Sequence, residues 1–308
     1  MQYFDCHADT LTEMHDPDET LWENRRDVDL RRAQAFADSY TQIFAVWKNV
    51  QGIPPEEMDR VFWPLYQRAQ GYLQAQADKI ALCTTAQEMH RAHAQGKAAA
   101  FLSIEDVSCM GSFVNQIFKL GFRFAMLAWN YENPYACGAA TDQKKGLTAA
   151  GKALAEDLLS QGVVLDISHL SDAGAADLFA MTDRPIMASH SDVRAVCGKP
   201  RNLAKWQIEE LIRRRGLIGL NFFAPFVGED PTAADLLRHA DAVLALGGED
   251  VLALGGDFDG CDGLFPKGIE GVQSIPQLWD LFCGAFGEAM AEKIFHQNAE
   301  RFLEENLK

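Results

Sequence analysis

Short apolar runs that end in a residue able to hold a divalent cation recur along this chain, and they limit what it can fold into. They are Phe4-Asp5-Cys6-His7-Ala8-Asp9, Phe101-Leu102-Ser103-Ile104-Glu105, Val163-Val164-Leu165-Asp166-Ile167-Ser168-His169 and Pro185-Ile186-Met187-Ala188-Ser189-His190; a fifth, Val251 to Gly256, ends at Asp257. Zinc and similar ions need imidazole nitrogens and carboxylate oxygens converging on one point. Strand ends lying side by side in a sheet supply that convergence.

The candidate strands are about 2–7, 41–47, 98–104, 122–128, 163–168, 185–189, 216–222 and 251–256. Residues 163–167 and 216–220 read as strands buried on both faces, as parallel sheets require. Helical patterns lie between them, at roughly 56–78, 86–95, 112–120, 148–161, 171–182, 204–214, 232–247 and 287–304. The stretch 148–161 opens at Thr148, carries Leu154, Leu158 and Leu159, and stops at Gly162, a good helix terminator. Alternating strand and helix calls for a parallel sheet, and eight strands in 308 residues predict a (β/α)8 barrel. A doubly wound open sheet is the alternative. With no repeat, low-complexity tract or Pro/Ser-rich linker, residues 1–308 read as one domain.

A formal charge of -16 argues against nucleic acid or an anionic membrane as the main partner. No apolar run approaches the roughly 18 residues of a membrane span, and the N-terminus lacks the pattern of a secretory signal. Seven scattered cysteines without CxxC spacing suggest reduced thiols, so a cytoplasmic location is expected. Cys6 and Cys261 lie within a few residues of candidate site positions.

In a barrel of this type functional groups sit at the C-terminal strand ends. His7 and Asp9, two apart on an extended strand, point to one face and can ligate one ion. Glu105 could cap the next helix, but its two oxygens can also bridge two cations about 3.5–4 Å apart. His169 and His190 end successive strands and would complete a second site that shares Glu105. Asp166 reads as an orienting group or a buried strand carboxylate. In Gly255-Gly256-Asp257-Phe258-Asp259-Gly260, either aspartate could reach the barrel mouth. Asp257 lies nearer the strand and is the better proton carrier; Asp259-Gly260 also fits a turn. Arg201 and Asn202 follow His190 in a loop, where an arginine could hold a carboxylate. His15, His90, His93, His239 and His296 read as surface side chains. No Walker A sequence, GxGxxG or GxSxG elbow supports a nucleotide or serine-hydrolase reading.

These residues resemble the membrane (renal) dipeptidase family, peptidase family M19, and most closely its soluble bacterial branch. The markers run nearly end to end: Asp5-Cys6-His7-Ala8-Asp9, Ser103-Ile104-Glu105, Leu127-Ala128-Trp129-Asn130 with Asn133-Pro134, and Gly146-Leu147-Thr148 to Gly151. They continue through Asp166 to Ser171, Ser189-His190-Ser191, Pro200-Arg201-Asn202 and Gly255 to Gly260. The resemblance implies two zinc ions, one on His7 and Asp9, the other on His169 and His190, with Glu105 between them. A hydroxide shared by the metals would attack the peptide carbonyl, and Asp257 would act as base and then acid toward the amine. Arg201 would grip the substrate's C-terminal carboxylate, a D-residue would be tolerated there, and a homodimer is expected. Animal members carry His before Asn where this chain has Trp129-Asn130, a segment that resemblance assigns to substrate binding. A related barrel hydrolase acting on another amide, a lactone or a phosphoester is the alternative; many of those bridge their metals with a carboxylated lysine, where Glu105 stands here. A metal-free barrel that only binds a ligand has no need of five such residues.

Overall fold

A computed structural model describes residues 1–16 and 18–308. All eight expected strands form, every pairing is parallel, and the sheet closes on itself. The strands are β1 (Gln2–Ala8), β2 (Ser39–Trp47), β3 (Ile80–Leu82), β4 (Ala98–Glu105), β5 (Phe122–Met126), β6 (Val164–Asp166), β7 (Met187–Ala188), β8 (Leu217–Leu220) and β9 (Leu252–Leu254). The ring runs β1-β2-β4-β5-β6-β7-β8-β9 and back to β1, which makes a (β/α)8 barrel. The ninth strand, β3, was not expected. It pairs with the first residues of β4 on the edge that β5 takes further along.

Inward-facing side chains fill the barrel. Phe4, Cys6, Ile43, Ala99, Phe101, Phe124, Val164, Met187, Leu217 and Ala253 form one buried cluster with contributions from every strand of the ring. Helices Ala86–Ala94 and Asn298–Asn306 close its lower end through Met89, Phe302 and Leu303. A second cluster packs the outer strand faces against the surrounding helices. The helix over Ala149–Gln161 begins and ends as expected: the Thr148 side chain accepts from the Gly151 N–H, and Gly162 is left-handed at φ 85°.

Two expectations are adjusted. The segment around 112–120 is a 3-10 turn over Val107–Gln116, broken at Gly111, which is left-handed at φ 54°. The C-terminal helical stretch is interrupted by a π-turn at Lys293–Gln297. A helix over Ile275–Phe286 was not anticipated; it packs through Ile275, Leu278 and Phe282.

One irregularity decides the site. β1 and β2 pair Asp5 with Gln42 but Ala8 with Phe44, so β1 carries one extra residue. This bulge shifts the two-residue alternation. Phe4 and Cys6 belong to the inner cluster, whereas Ala8 joins Tyr3 in the outer one. His7 and the following Asp9 therefore turn toward the barrel mouth.

A candidate metal centre at the barrel mouth

The upper rim brings together all the residues picked for metal affinity. His7 comes from β1 with Asp9 just beyond it, Glu105 ends β4, His169 follows β6, His190 follows β7, and Asp257 follows β9. Three overlapping sets have donor atoms within 4.8 Å of one another: His7, Asp9 and Glu105; Glu105, His169 and His190; His7, His190 and Asp257. His7 and His190 are fully buried, and Asp9, Glu105 and His169 are at most 7% exposed.

Glu105 lies between the two halves. Its Oε2 is 3.2 Å from His7 Nε2, and its Oε1 is 2.8 Å from His169 Nε2. His7 Nε2 is 3.5 Å from Asp9 Oδ2, and the His169 and His190 Nε2 atoms are 2.8 Å apart. Ligand atoms about 2.0–2.1 Å from a tetrahedral ion stand roughly 3.3 Å apart, so this spacing suits a cation.

The donor chemistry fits as well. His169 Nδ1 sits 2.9 Å from Asn130 Oδ1, an acceptor, so Nδ1 carries the hydrogen and Nε2 presents a lone pair. Burial and Arg201 push His169 down to about 4, which keeps that ring neutral. A lone pair and a carboxylate oxygen facing each other at 2.8 Å call for a positive charge between them. Both ring nitrogens of His7, and Oδ1 of Asp9, are buried without a hydrogen-bond partner among the described residues. Such orphans are rare unless a ligand completes them.

The rim is held in place from below and from the sides. Asp5 Oδ1 accepts from the His7 N–H at 2.9 Å and Oδ2 from Tyr3 Oη at 2.5 Å. Asp166 Oδ1 accepts from the N–H groups of Ser168 and Ser189, which orients the chain entering His169 and His190. His169 and Asp257 have φ of 69° and 55°, left-handed values that a non-glycine residue adopts only when its surroundings enforce them. Gly260 is required here, because a Cβ would lie 2.4 Å from Asp9 Oδ2 and 2.5 Å from Asp257 Oδ1. Asp259 borders the mouth but belongs to none of the donor sets; its carboxylate ties loops together, accepting from Thr10 Oγ1 and the Asp27 N–H.

A cavity of 270 Å³ opens onto the metal-affine residues. Its walls include Trp47, Trp129, Asn130, Phe223 and Phe226, with Asp9, Glu105, His169 and Asp257 at the base. Trp129 also borders a neighbouring cavity of 490 Å³, and its ring leans on Trp47 with centroids 4.9 Å apart. Burial lifts Asp257 to about 6, helped by Glu105 and opposed by His7, Arg201 and Asn221.

Arg201 is not on that cavity wall. It is 7% exposed and donates through Nη1 to Ser191 Oγ at 2.6 Å and through Nη2 to the His190 carbonyl at 2.9 Å, while Nε has no partner. Cys6 and Cys261 are buried and belong to none of the donor sets. His239, expected at the surface, is fully buried: its Nδ1 accepts from the Val193 N–H and its Nε2 donates to the Val227 carbonyl. Sequence reasoning passed over Asp5, Asp106 and Asn221. Asp106, at φ 74°, accepts from the Trp129 N–H and from Asn133 Nδ2, which shapes the loop carrying Trp129 and Asn130. Among the described residues no helix is long and apolar enough to cross a membrane.

A closed parallel barrel with histidines and carboxylates converging at its C-terminal rim defines a metal-dependent hydrolase of the (β/α)8 type. The profile of the membrane dipeptidases, peptidase family M19, matches residues 1–307, and the chain belongs to this family of metallo-dipeptidases. A metallopeptidase of Rhodobacter sphaeroides, solved with a phosphinate mimic of the dipeptide L-Ala-D-Ala, superposes with a TM-score of 0.87 at 25% identity, covering 100% of this chain and 99% of that one. An uncharacterised protein encoded in the pqqA 5′ region of Klebsiella pneumoniae is 26% identical over 267 residues, which are 82% of this chain and 97% of that protein. Dipeptidase aclJ of Aspergillus oryzae is 31% identical over 195 residues, 60% of this chain but only 46% of the fungal protein.

Proposed function

We propose that residues 1–308 form one catalytic barrel that uses two zinc ions to hydrolyse dipeptides, L-L and also L-D. The observation that carries this reading is Glu105, whose two oxygens face His7 on one side and His169 on the other. His7 and Asp9 would hold one ion, His169 and His190 the other, with Glu105 shared. When bound, the ions supply an acidified water as nucleophile and polarise the scissile carbonyl.

The chain does the rest. Asn130 fixes the His169 tautomer so that Nε2 points inward. Asp257 takes the proton of the attacking water and passes it to the departing amine, as a carboxyl lifted to about 6 can do. Trp47, Trp129, Phe223 and Phe226 wall the substrate off from bulk water. Arg201 enters as the group that receives the C-terminal carboxylate, through N–H groups not taken by Ser191 and His190. The D-residue expectation is supported by the L-Ala-D-Ala mimic bound by the Rhodobacter protein.

The zinc-loaded protein is expected to cleave L-Ala-L-Ala and L-Ala-D-Ala, to lose activity in chelator and to regain it with zinc. C-terminal amidation should raise KM at least tenfold; an unchanged rate with the amide would remove Arg201 from this reading. A protein that holds two ions yet cleaves neither dipeptide would point to the related amide, lactone or phosphoester hydrolases.

Metal uptake should also release protons. Burial and Glu105 lift Asp9 to about 8, and the carboxylates around His7 lift its ring above the ordinary value against the opposing effect of burial. Both groups must give up their protons to ligate. Affinity for zinc should therefore rise with pH through about 8, where Asp9 gives up its proton, and level off only once His7 is neutral as well. Titration calorimetry in buffers of different ionisation enthalpy reads the proton count; equal release at pH 6.5 and 9.5 would contradict the assignment of His7 and Asp9.

A further inference from the structure

Asn221 lies immediately beyond β8, is fully buried, and does not line the substrate cavity. Its side chain is nonetheless the meeting point of three strand ends. Nδ2 donates to Asp257 Oδ2 at 3.0 Å and to the His190 carbonyl at 3.2 Å. Oδ1 accepts from the Phe223 N–H at 2.6 Å, and because that partner can only donate, the amide's orientation is settled. Asn221 has no spare hydrogen and no freedom to flip.

We infer that Asn221 is the positioning residue for Asp257. The Asp257 backbone is left-handed, with its N–H on the His7 carbonyl at 3.1 Å. Those constraints place the Cβ but leave rotation of the carboxylate free. The bond from Asn221 removes that rotation: it occupies Oδ2 and leaves Oδ1 as the oxygen that faces the metal-affine residues, 3.9 Å from His7 Nε2. The same amide anchors the backbone of Phe223, a cavity wall residue, so proton carrier and substrate wall share one reference point. Nothing else among the described side chains donates a hydrogen bond to Oδ2 of Asp257.

This inference rests on the proton-carrier role given to Asp257. Asn221→Leu keeps the shape and removes every hydrogen bond; Asn221→Asp keeps the acceptor for Phe223 and exchanges the amide donors for a second carboxyl beside Asp257. Each is expected to lower kcat about 10- to 100-fold, the usual cost of losing an orienting partner, with KM within about twofold and two ions retained. In an Asp257→Asn background the same change should cost kcat no more than about twofold, because the donors of Asn221 then have no proton carrier left to position. A loss that multiplies with that of Asp257→Asn, or loss of metal, would overturn the proposal. A crystal structure of Asn221→Leu decides independently of activity: the Asp257 carboxylate should leave its present rotamer, and an unmoved carboxylate also overturns the inference. If the unmodified protein cleaves no dipeptide, the dipeptidase reading fails while this structural test still stands.

Discussion

Glu105→Gln is expected to bring metal content from two ions per chain to one or fewer and to lower turnover about 10⁴-fold or more, since the nucleophile depends on the ions. The exchange preserves volume in a residue that is 3% exposed, so stability is not the main casualty. It removes the one carboxylate whose oxygens face both histidine groups. Burial alone would raise the Glu105 carboxyl, yet His7 and His169 together hold it below the ordinary carboxylate range. Glutamine has one oxygen for one ion, and its NH2 would face the other site as a donor without a lone pair. Metal analysis after gel filtration, beside a dipeptide assay, reads both effects. Two retained ions with more than a tenth of the activity would mean that the bridge lies elsewhere.

Asp257→Asn should behave differently, retaining both ions while kcat falls about 10³-fold, within the range for loss of a general acid–base group. The asparagine Oδ1 can take the place of Oδ2 and accept from Asn221, so the loop has reason to stay as it is. What disappears is a carboxyl that can accept and return a proton. The competing possibility is built into the same geometry, because Asp257 also forms a donor set with His7 and His190. Metal content separates the two: loss of one ion would make Asp257 a ligand and leave the proton carrier to be found.

The barrel could be read from the chain because its strands are short apolar runs bounded by polar residues, and because donors recur at their ends. β3 escaped because Ile80-Ala81-Leu82 is three residues long and merges into the helix before it. His239 was misplaced because a histidine on an amphipathic helix looks the same whether it faces water or, as here, two backbone groups of neighbouring loops. The donors of the site were visible one by one, whereas their supports were not. Asn221 falls inside the expected strand 216–222 with nothing to set it apart, and Asp106 passes as the residue after Glu105. Their partners, Asp257 and Trp129, lie 36 and 23 positions away and become neighbours only when the ring closes.

The extra residue in β1 has a consequence for anyone who edits this chain. Along that strand the alternation of faces carries a phase, and between Asp5 and Ala8 the phase slips by one. A substitution at His7 or Asp9 removes one donor, but if the same residues paired with β2 in a regular ladder, the alternation that puts Phe4 and Cys6 inside would put His7 outside. Both donors would then face the layer of helices, with Ala8 in their place at the mouth. Half of the centre thus depends on a counting irregularity in the strand as much as on the identity of its residues.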